Sequence, residues 1–379
     1  MSGGYGSADA ARHEQTSLVA AILLWVTTAL VLPGSFGAFS TWVSNYAGGG
    51  PGSPAPYTNT TTVTGWTVRT EPSTTDRPEF ATAAVGIPFT IGALLAAAAC
   101  LMLLLARGRA GDPVRARLLG MFAGALVTGT VLMVVADQGT QLANQIVRNA
   151  GSSGPFSTEL VLGTGFWLVV GAAAVAMSAI GLLAVPGPPT APGQWQSLRL
   201  AAVPLVLLAG LTIAGSLLPQ VIRELGDSND RATVIVSSWA TTELDARGVL
   251  VPVEEAFPPY WLAAVLGALI AMIAAGLAFG SRPVGARVLG VVGSGVALGY
   301  CSFELLSTAA GIGNLASRNE SAEDPEVYTL APGTWVLVAV VVIAIGTAVL
   351  LIAAGRRPQR VQPPVSPTVP VHGDGVRAS

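Results

Sequence analysis

Eight stretches of the chain stay apolar for about as long as a helix needs to cross a bilayer, roughly 20 residues. They run Ser17–Ser35, Thr82–Ala106, Leu118–Asp137, Leu160–Val185, Leu200–Val221, Pro259–Gly280, Val288–Thr308 and Thr334–Ala354. The two-residue alternation of an outer-membrane barrel is missing from them, so helices are the way this backbone satisfies itself in hydrocarbon. Helix breakers mark several ends: Pro33-Gly34, Pro186-Gly187-Pro188-Pro189, and Gly355 ahead of two arginines. Between spans the pattern changes in two places. Asn59–Glu71 (NTTTVTGWTVRTE) and Ala232–Glu243 (ATVIVSSWATTE) are rich in Thr, Val and Trp, which suit strands. Gly48–Gly52 with Pro54 and Pro56 precedes the first, and Gly226–Asp230 the second. Each predicts one short strand or hairpin on the outer end of a helical bundle. An isolated hairpin is marginal in water, so the expectation is that the two pair into one small sheet.

The spans also predict an internal repeat. Leu162-Gly-Thr-Gly-Phe-Trp167 answers Leu330-Ala-Pro-Gly-Thr-Trp335, and Ala116-Arg-Leu-Leu-Gly120 answers Ala286-Arg-Val-Leu-Gly290. Gly92-Ala-Leu-Leu-Ala96 answers Gly267-Ala-Leu-Ile-Ala271, and Val63-Thr-Gly-Trp66 answers Val236-Ser-Ser-Trp239. The matches keep their order, and their offsets drift only where loops change length. Four spans per copy give both copies the same topology, which makes them parallel repeats. The expected organisation is a disordered N-terminus (1–16), a four-helix repeat (17–185, outer β-like loop about 36–81) and a linker (186–199). A second four-helix repeat (200–354, outer loop about 222–258) and a disordered Pro-rich tail (355–379) follow. The fold class is therefore an all-α membrane protein of eight transmembrane helices with short β-strands outside. A cleaved signal peptide is the competing reading of the first span. Its counterpart Leu200–Val221 is internal, which favours a retained helix.

Composition sharpens this picture. Of the 379 residues 51% are hydrophobic and 11% charged, and all 19 basic residues are Arg; a soluble domain carries about a quarter charged residues. The short loops 107–117, 186–199 and 281–287, with both termini, hold 12 Arg and four acids. The long loops hold seven Arg and 16 acids, counting Asp137 at a span end. The positive-inside rule places the short loops and both termini in the cytoplasm. Cys100 and Cys301 lie inside apolar runs, and His13 and His372 lie near the ends. That excludes a disulfide framework and histidine-ligated haem or zinc within the membrane.

The Trp-bearing, β-like first outer loop and the short basic turn between spans two and three resemble the four-helix arrangement of claudins. The paired loop cysteines of that family are absent, so its adhesion role is not implied. Gly65-Trp66, Gly165-Phe-Trp-Leu168 and Gly333-Thr-Trp-Val336 are more similar to uncharacterised actinobacterial integral membrane proteins built from tandem four-helix modules. That resemblance covers about residues 17–355 and implies no particular activity. A Lys-free, Ala/Gly/Val/Arg-rich chain fits a high-GC bacterial source.

Candidate chemistry is sparse. Glu304 lies inside the seventh span, and an intramembrane acid is a functional candidate. Tyr300, Ser307 and Thr308 share its helical face as expected hydrogen-bond partners; in the first half the equivalent position is Val134, with Asp137 one turn further out as a further candidate polar residue. The alternative is a solvated carboxylate, or one paired with Arg148 or Arg318. Trp66 and Trp239 are expected as an outer contact surface, and Trp167 and Trp335 as interfacial anchors. Arg107, Arg109, Arg115 and Arg117 set topology or touch anionic lipid. The acidic loops (Glu224, Asp227, Asp230; Glu320, Glu323, Asp324, Glu326) lack calcium-loop spacing. Gly290, Gly293, Gly295 and Gly299 suit close helix packing or the lining of a path. No nucleotide, hydrolase or metalloprotease motif sits in a usable context, so no catalytic residue, metal or cofactor is expected. The functional expectation is a non-enzymatic scaffold or accessory subunit of a cell-envelope assembly, touching lipid, itself or another membrane protein. The alternative is a transporter component for an apolar or lipidic solute, with Glu304 at the gate or at a cation site.

Overall fold

The computed structural model describes residues 5–47, 56–72, 79–107, 113–151, 156–185, 195–225, 232–245, 247–251, 259–280, 282–319 and 327–353. The first half runs α1 (Tyr5–Phe36), β1 (Ala38–Tyr46), β2 (Tyr57–Thr64), β3 (Thr67–Pro72), β4 (Glu79–Thr82), α2 (Gly86–Arg107), α3 (Pro113–Gly151), β5 (Phe156–Leu162) and α4 (Thr164–Leu183). The second runs α5 (Trp195–Leu217), β6 (Val221–Leu225), β7 (Ala232–Val236), β8 (Thr241–Leu244), β9 (Leu250–Val251), α6 (Trp261–Phe279), α7 (Pro283–Asn319), β10 (Val327–Leu330) and α8 (Pro332–Ala353). All eight helices are long and apolar enough to cross a membrane.

Helix number follows from the apolar runs, but several boundaries need correction. Residues 5–16, expected to be disordered, extend α1, because Ala8, Ala10, Ala11 and Arg12 are strong helix formers. The linker's last residues, from Trp195, belong to α5. The tail from 354 lies outside the described residues. The largest departures are α3 and α7, which have 39 and 37 residues. At 1.5 Å per residue each is about 55 Å long, well beyond the roughly 30 Å hydrocarbon core. Apolar content falls after Asp137 and Thr308, yet residues that tolerate a helix continue. The parts of loops 138–159 and 309–333 nearest the spans are therefore helical.

The outer strands form two sheets, not one. The strand orders are β4-β3-β2-β1-β5 and β10-β6-β7-β8-β9, and every pairing is antiparallel and within one half. Each sheet closes locally because the segment before its fourth helix returns beside its first strand: β5 pairs with β1, and β10 with β6. Leu160–Leu162, expected in a span, belong to β5, and Val221 to β6. Element order and strand order thus agree between the halves.

Two close approaches tie these layers together. A side chain at Gly165 or Gly333 would meet the backbone oxygen of Gly37 or Pro219 at 2.4 and 2.6 Å. The starts of α4 and α8 therefore lie against the ends of α1 and α5. At the centre, α3 packs on α7. Their apolar windows are 78% and 72% buried, against 33–44% for the other six helices. A Cβ on Gly129 would lie 2.6 Å from the Val296 carbonyl oxygen, and one on Gly299 2.7 Å from that of Leu126. Gly295 similarly abuts Ala125 and Phe122. The glycines of this stripe let two backbones touch, and dispersion holds them.

Candidate functional site

The most polar buried region lies where the helical layer meets the second sheet. Three elements converge on Ser238, in the turn between β7 and β8. Ser237 builds that turn, its hydroxyl accepting the amides of Trp239 and Ala240. The Ser238 amide donates to Ser216 O at the end of α5 (3.2 Å). The Ser238 hydroxyl donates to Glu304 Oε1 (2.8 Å) and lies 2.6 Å from the Tyr300 hydroxyl. Gln220, between α5 and β6, donates its amide to the same oxygen. A serine hydroxyl has one proton and two lone pairs. With its proton on Glu304, it accepts from Tyr300 and Gln220, and its hydrogen bonds are complete. Ser238 and Tyr300 are fully buried, and Gln220 and Glu304 are 3% and 7% exposed.

Glu304 and Tyr300 are therefore brought together as expected, but through Ser238 rather than directly. Ser307 and Thr308 are half-buried on the same helix, whereas Glu304 accepts its hydrogen bond from Ser238. The side chains of Arg148 and Arg318 lie outside the described residues. On α7, Arg318 stands 14 residues beyond Glu304, about 21 Å of rise along the same helix, which is too far for a contact pair.

Asp137 forms a second node on α3. Its Oδ1 accepts the Tyr260 hydroxyl (2.7 Å), and its Oδ2 accepts the amides of Gln138 (3.0 Å) and Gln141 (2.9 Å). Tyr260, at the start of α6, also packs its ring on Phe303 at 5.7 Å. Tyr260 thereby links Asp137 to Phe303, the residue next to Glu304 on α7. One acid from each half thus faces the same junction, and no ion pair among the described residues engages either. Among the described residues, no group of three or more His, Cys, Asp or Glu converges as a metal site would. Asp227, Asp230, Glu320, Glu323, Asp324 and Glu326 lie outside the described residues.

The first half builds the same junction from apolar groups. Its hairpin turn repeats the design, with the Thr64 hydroxyl accepting the amides of Trp66 and Thr67, but Gly65 stands where the other turn has Ser238. Phe39 O accepts the Gly163 amide just as Gln220 O accepts that of Ala331. On α3, Thr130 and Val134 stand 170 residues before Tyr300 and Glu304. Phe39, Phe89, Thr130 and Val134 are all at most 3% exposed, and Phe39 meets Phe89 edge-on at 6.1 Å. The contrast of Gly65 with Ser238 is visible in the repeated Val-x-x-Trp motif. The parts played by Gln220, Tyr260, Gln138 and Gln141 emerge only with the fold.

Both hairpin tryptophans turn down onto helix ends. Trp66 donates its indole N–H to Ser35 Oγ (3.3 Å) and stacks on Phe36 at 5.4 Å. Trp239 donates to Ser216 Oγ (3.0 Å) and stacks on Trp261 at 4.9 Å. Both rings make intramolecular contacts, and Trp239 remains 39% exposed. Trp167 and Trp335, at the starts of α4 and α8, are 61% and 63% exposed. No family model matches the chain, and a search of curated proteins finds no match.

Proposed function

We propose that the chain is a non-enzymatic scaffold or accessory subunit of a cell-envelope assembly, which displays two β-sheets on a closed eight-helix body. The observation that carries this reading is the α3–α7 seam. Backbone meets backbone at Gly129, Gly295 and Gly299, so the boundary between halves is packed rather than open to a solute. The polar cluster supports the same reading, because Ser238 spends its hydrogen bonds on Gln220, Tyr300 and Glu304.

The finer parts of the proposal have separate supports. Arginine distribution supports a bacterial cell-membrane protein with both termini cytoplasmic and the sheets outside. Matching element and strand orders support two copies of one four-helix module, and with it the resemblance to actinobacterial tandem-module proteins. Trp167 and Trp335 act as interfacial anchors, and the partner is a second membrane protein or another copy of the chain. One observation favours the alternative, a transport component for an apolar or lipidic solute: Asp137 and Glu304 face one junction with no basic partner among the described side chains. Native electrophoresis of solubilised membranes separates the two. The scaffold reading expects migration in a complex larger than the protomer, unchanged by Glu304→Gln. A lone protomer with a Glu304-dependent solute flux in vesicles overturns it.

A further inference from the structure

At the end of the bundle away from the sheets, α1 and α2 enclose an outward-facing groove of about 390 Å³. Its floor is small, formed by Ala21, Ala97 and Cys100; Ile22, Trp25 and Leu101 form its walls. Trp25 is 60% exposed. It sits eleven residues from each end of the span Glu14–Phe36, at mid-depth rather than in the interfacial belt that indoles favour. By position along α1 and α2, Trp25 and Ala97 lie at the mid-depth end of this slot and Leu104 at the other. The slot's other end is cationic. Leu104 lines it, and Arg107 follows one turn further along the same face of α2. Arg107 reaches the Glu14 carboxylate at 3.5 Å and the Glu14 carbonyl at 3.4 Å. Arg117, at the start of α3, reaches Ser17 Oγ at 3.4 Å. These contacts are at the outer limit of hydrogen bonding. Glu14 and Ser17 are one turn apart on α1, so the two guanidinium groups converge on that turn, at the mouth of the slot.

We propose that this is a binding site for an acidic phospholipid, with the phosphate on Arg107 and Arg117 and one acyl chain in the slot as far as Trp25. Charge decides the headgroup. Guanidinium groups bind phosphate oxygens in pairs at shorter range than they now hold Glu14 and Ser17, whereas a zwitterionic headgroup brings its own cation to the same place. The apolar lining and the mid-depth position of Trp25 fit a hydrocarbon chain. The proposal rests on the membrane reading, but not on which side of the membrane the termini lie.

The test reconstitutes the full chain in vesicles containing phosphatidylglycerol or phosphatidylcholine brominated at mid-chain, and reads tryptophan quenching as the difference between wild type and Trp25→Phe. The expected result is Trp25-dependent quenching at lower mole fraction with the acidic lipid, by about fivefold per arginine engaged. Arg107→Gln with Arg117→Gln removes the preference but keeps quenching by both lipids. Ala97→Phe, which fills the floor, removes Trp25-dependent quenching while elution as a folded particle persists. Equal quenching by both headgroups in the wild type overturns the proposal, as does a preference that survives in the double arginine variant. Absence of Trp25-dependent quenching by either lipid also overturns it.

Discussion

Asn314 holds Thr82 from three directions. Its Oδ1 accepts both the Thr82 amide (2.9 Å) and hydroxyl (3.0 Å), and its Nδ2 donates to the Thr82 carbonyl (2.9 Å). A side chain on α7 of the second half thus completes the outer edge of β4 in the first half. Asn314→Ala removes these bonds together. These bonds are solvent-exposed and lie at the edge strand of the sheet, so each is worth at most about 1 kcal/mol and the expected effect is local fraying of β4. Exchange of the Thr82 amide accelerates by at least tenfold while the melting temperature barely moves, as read by hydrogen–deuterium exchange mass spectrometry. Unchanged protection at β4 rejects the clamp.

The central seam predicts opposite outcomes for similar substitutions. Gly299→Ala puts a methyl group 2.7 Å from a backbone oxygen, and overpacking of this kind costs about 1–3 kcal/mol. Gly311→Ala and Gly313→Ala, on the same helix, meet nothing within 4 Å and gain about 0.5–1 kcal/mol of helix stability. Thermal unfolding in detergent reads both. Equal effects at positions 299 and 311 remove the seam as the reason for glycine.

Ser238→Ala strands three buried groups at once: the Glu304 carboxylate, the Tyr300 hydroxyl and the Gln220 amide. Each loss costs about 1–3 kcal/mol. Glu304→Gln keeps an acceptor oxygen for Ser238 and is expected to be mild. Stability should fall in the order wild type, Glu304→Gln, Ser238→Ala. The reverse order assigns Glu304 a role beyond holding the turn.

Trp239→Phe keeps an aromatic ring over Trp261 but loses the hydrogen bond to Ser216, at a cost of about 1 kcal/mol. Trp239→Ala loses both contacts, the hydrogen bond and the stacking on Trp261, and is expected to cost more than the phenylalanine variant. Exchange protection of β7 and β8 should report the loss. If both variants leave the hairpin protected, Trp239 does not hold the turn and is free to serve as an outer contact surface.

Sidedness has its own test. Cys100 and Cys301 are buried, so a cysteine at exposed Thr67 labels against a quiet background. The proposed orientation expects a membrane-impermeant thiol reagent to label Thr67→Cys in intact cells. Labelling only after lysis reverses the topology.

The number of spans is legible because apolar length is what a bilayer selects. The ends of α3 and α7 are not, because hydropathy reports where hydrocarbon stops, whereas the helix stops where its hydrogen bonds do. Runs such as Gln141-Leu-Ala-Asn-Gln145 leave the bilayer without leaving the helix. Gln145 shows what the extension does: its amide bonds Thr158 O (2.7 Å) and accepts the Leu160 amide (3.0 Å), docking β5 on α3. The strand itself is hidden because Leu160–Leu162 merge into the apolar run that follows. The candidate site was half legible. An acid in a span stands out in any sequence, whereas Gln220, Ser238 and Tyr260 are ordinary residues until folding brings them to it.

The glycine stripe on α3 also sets a timetable for biogenesis. Gly129 meets its partner surface only when Val296 and Gly299 have been made, up to 170 residues later. At about 5–20 residues per second that takes roughly 10–30 s. For that interval the first half stands in the bilayer with a bare groove, Asp137 at its rim, facing lipid that cannot match a neighbouring backbone. A pause in translation between α3 and α7 is expected to prolong the interval in which this glycine stripe lacks its partner backbone.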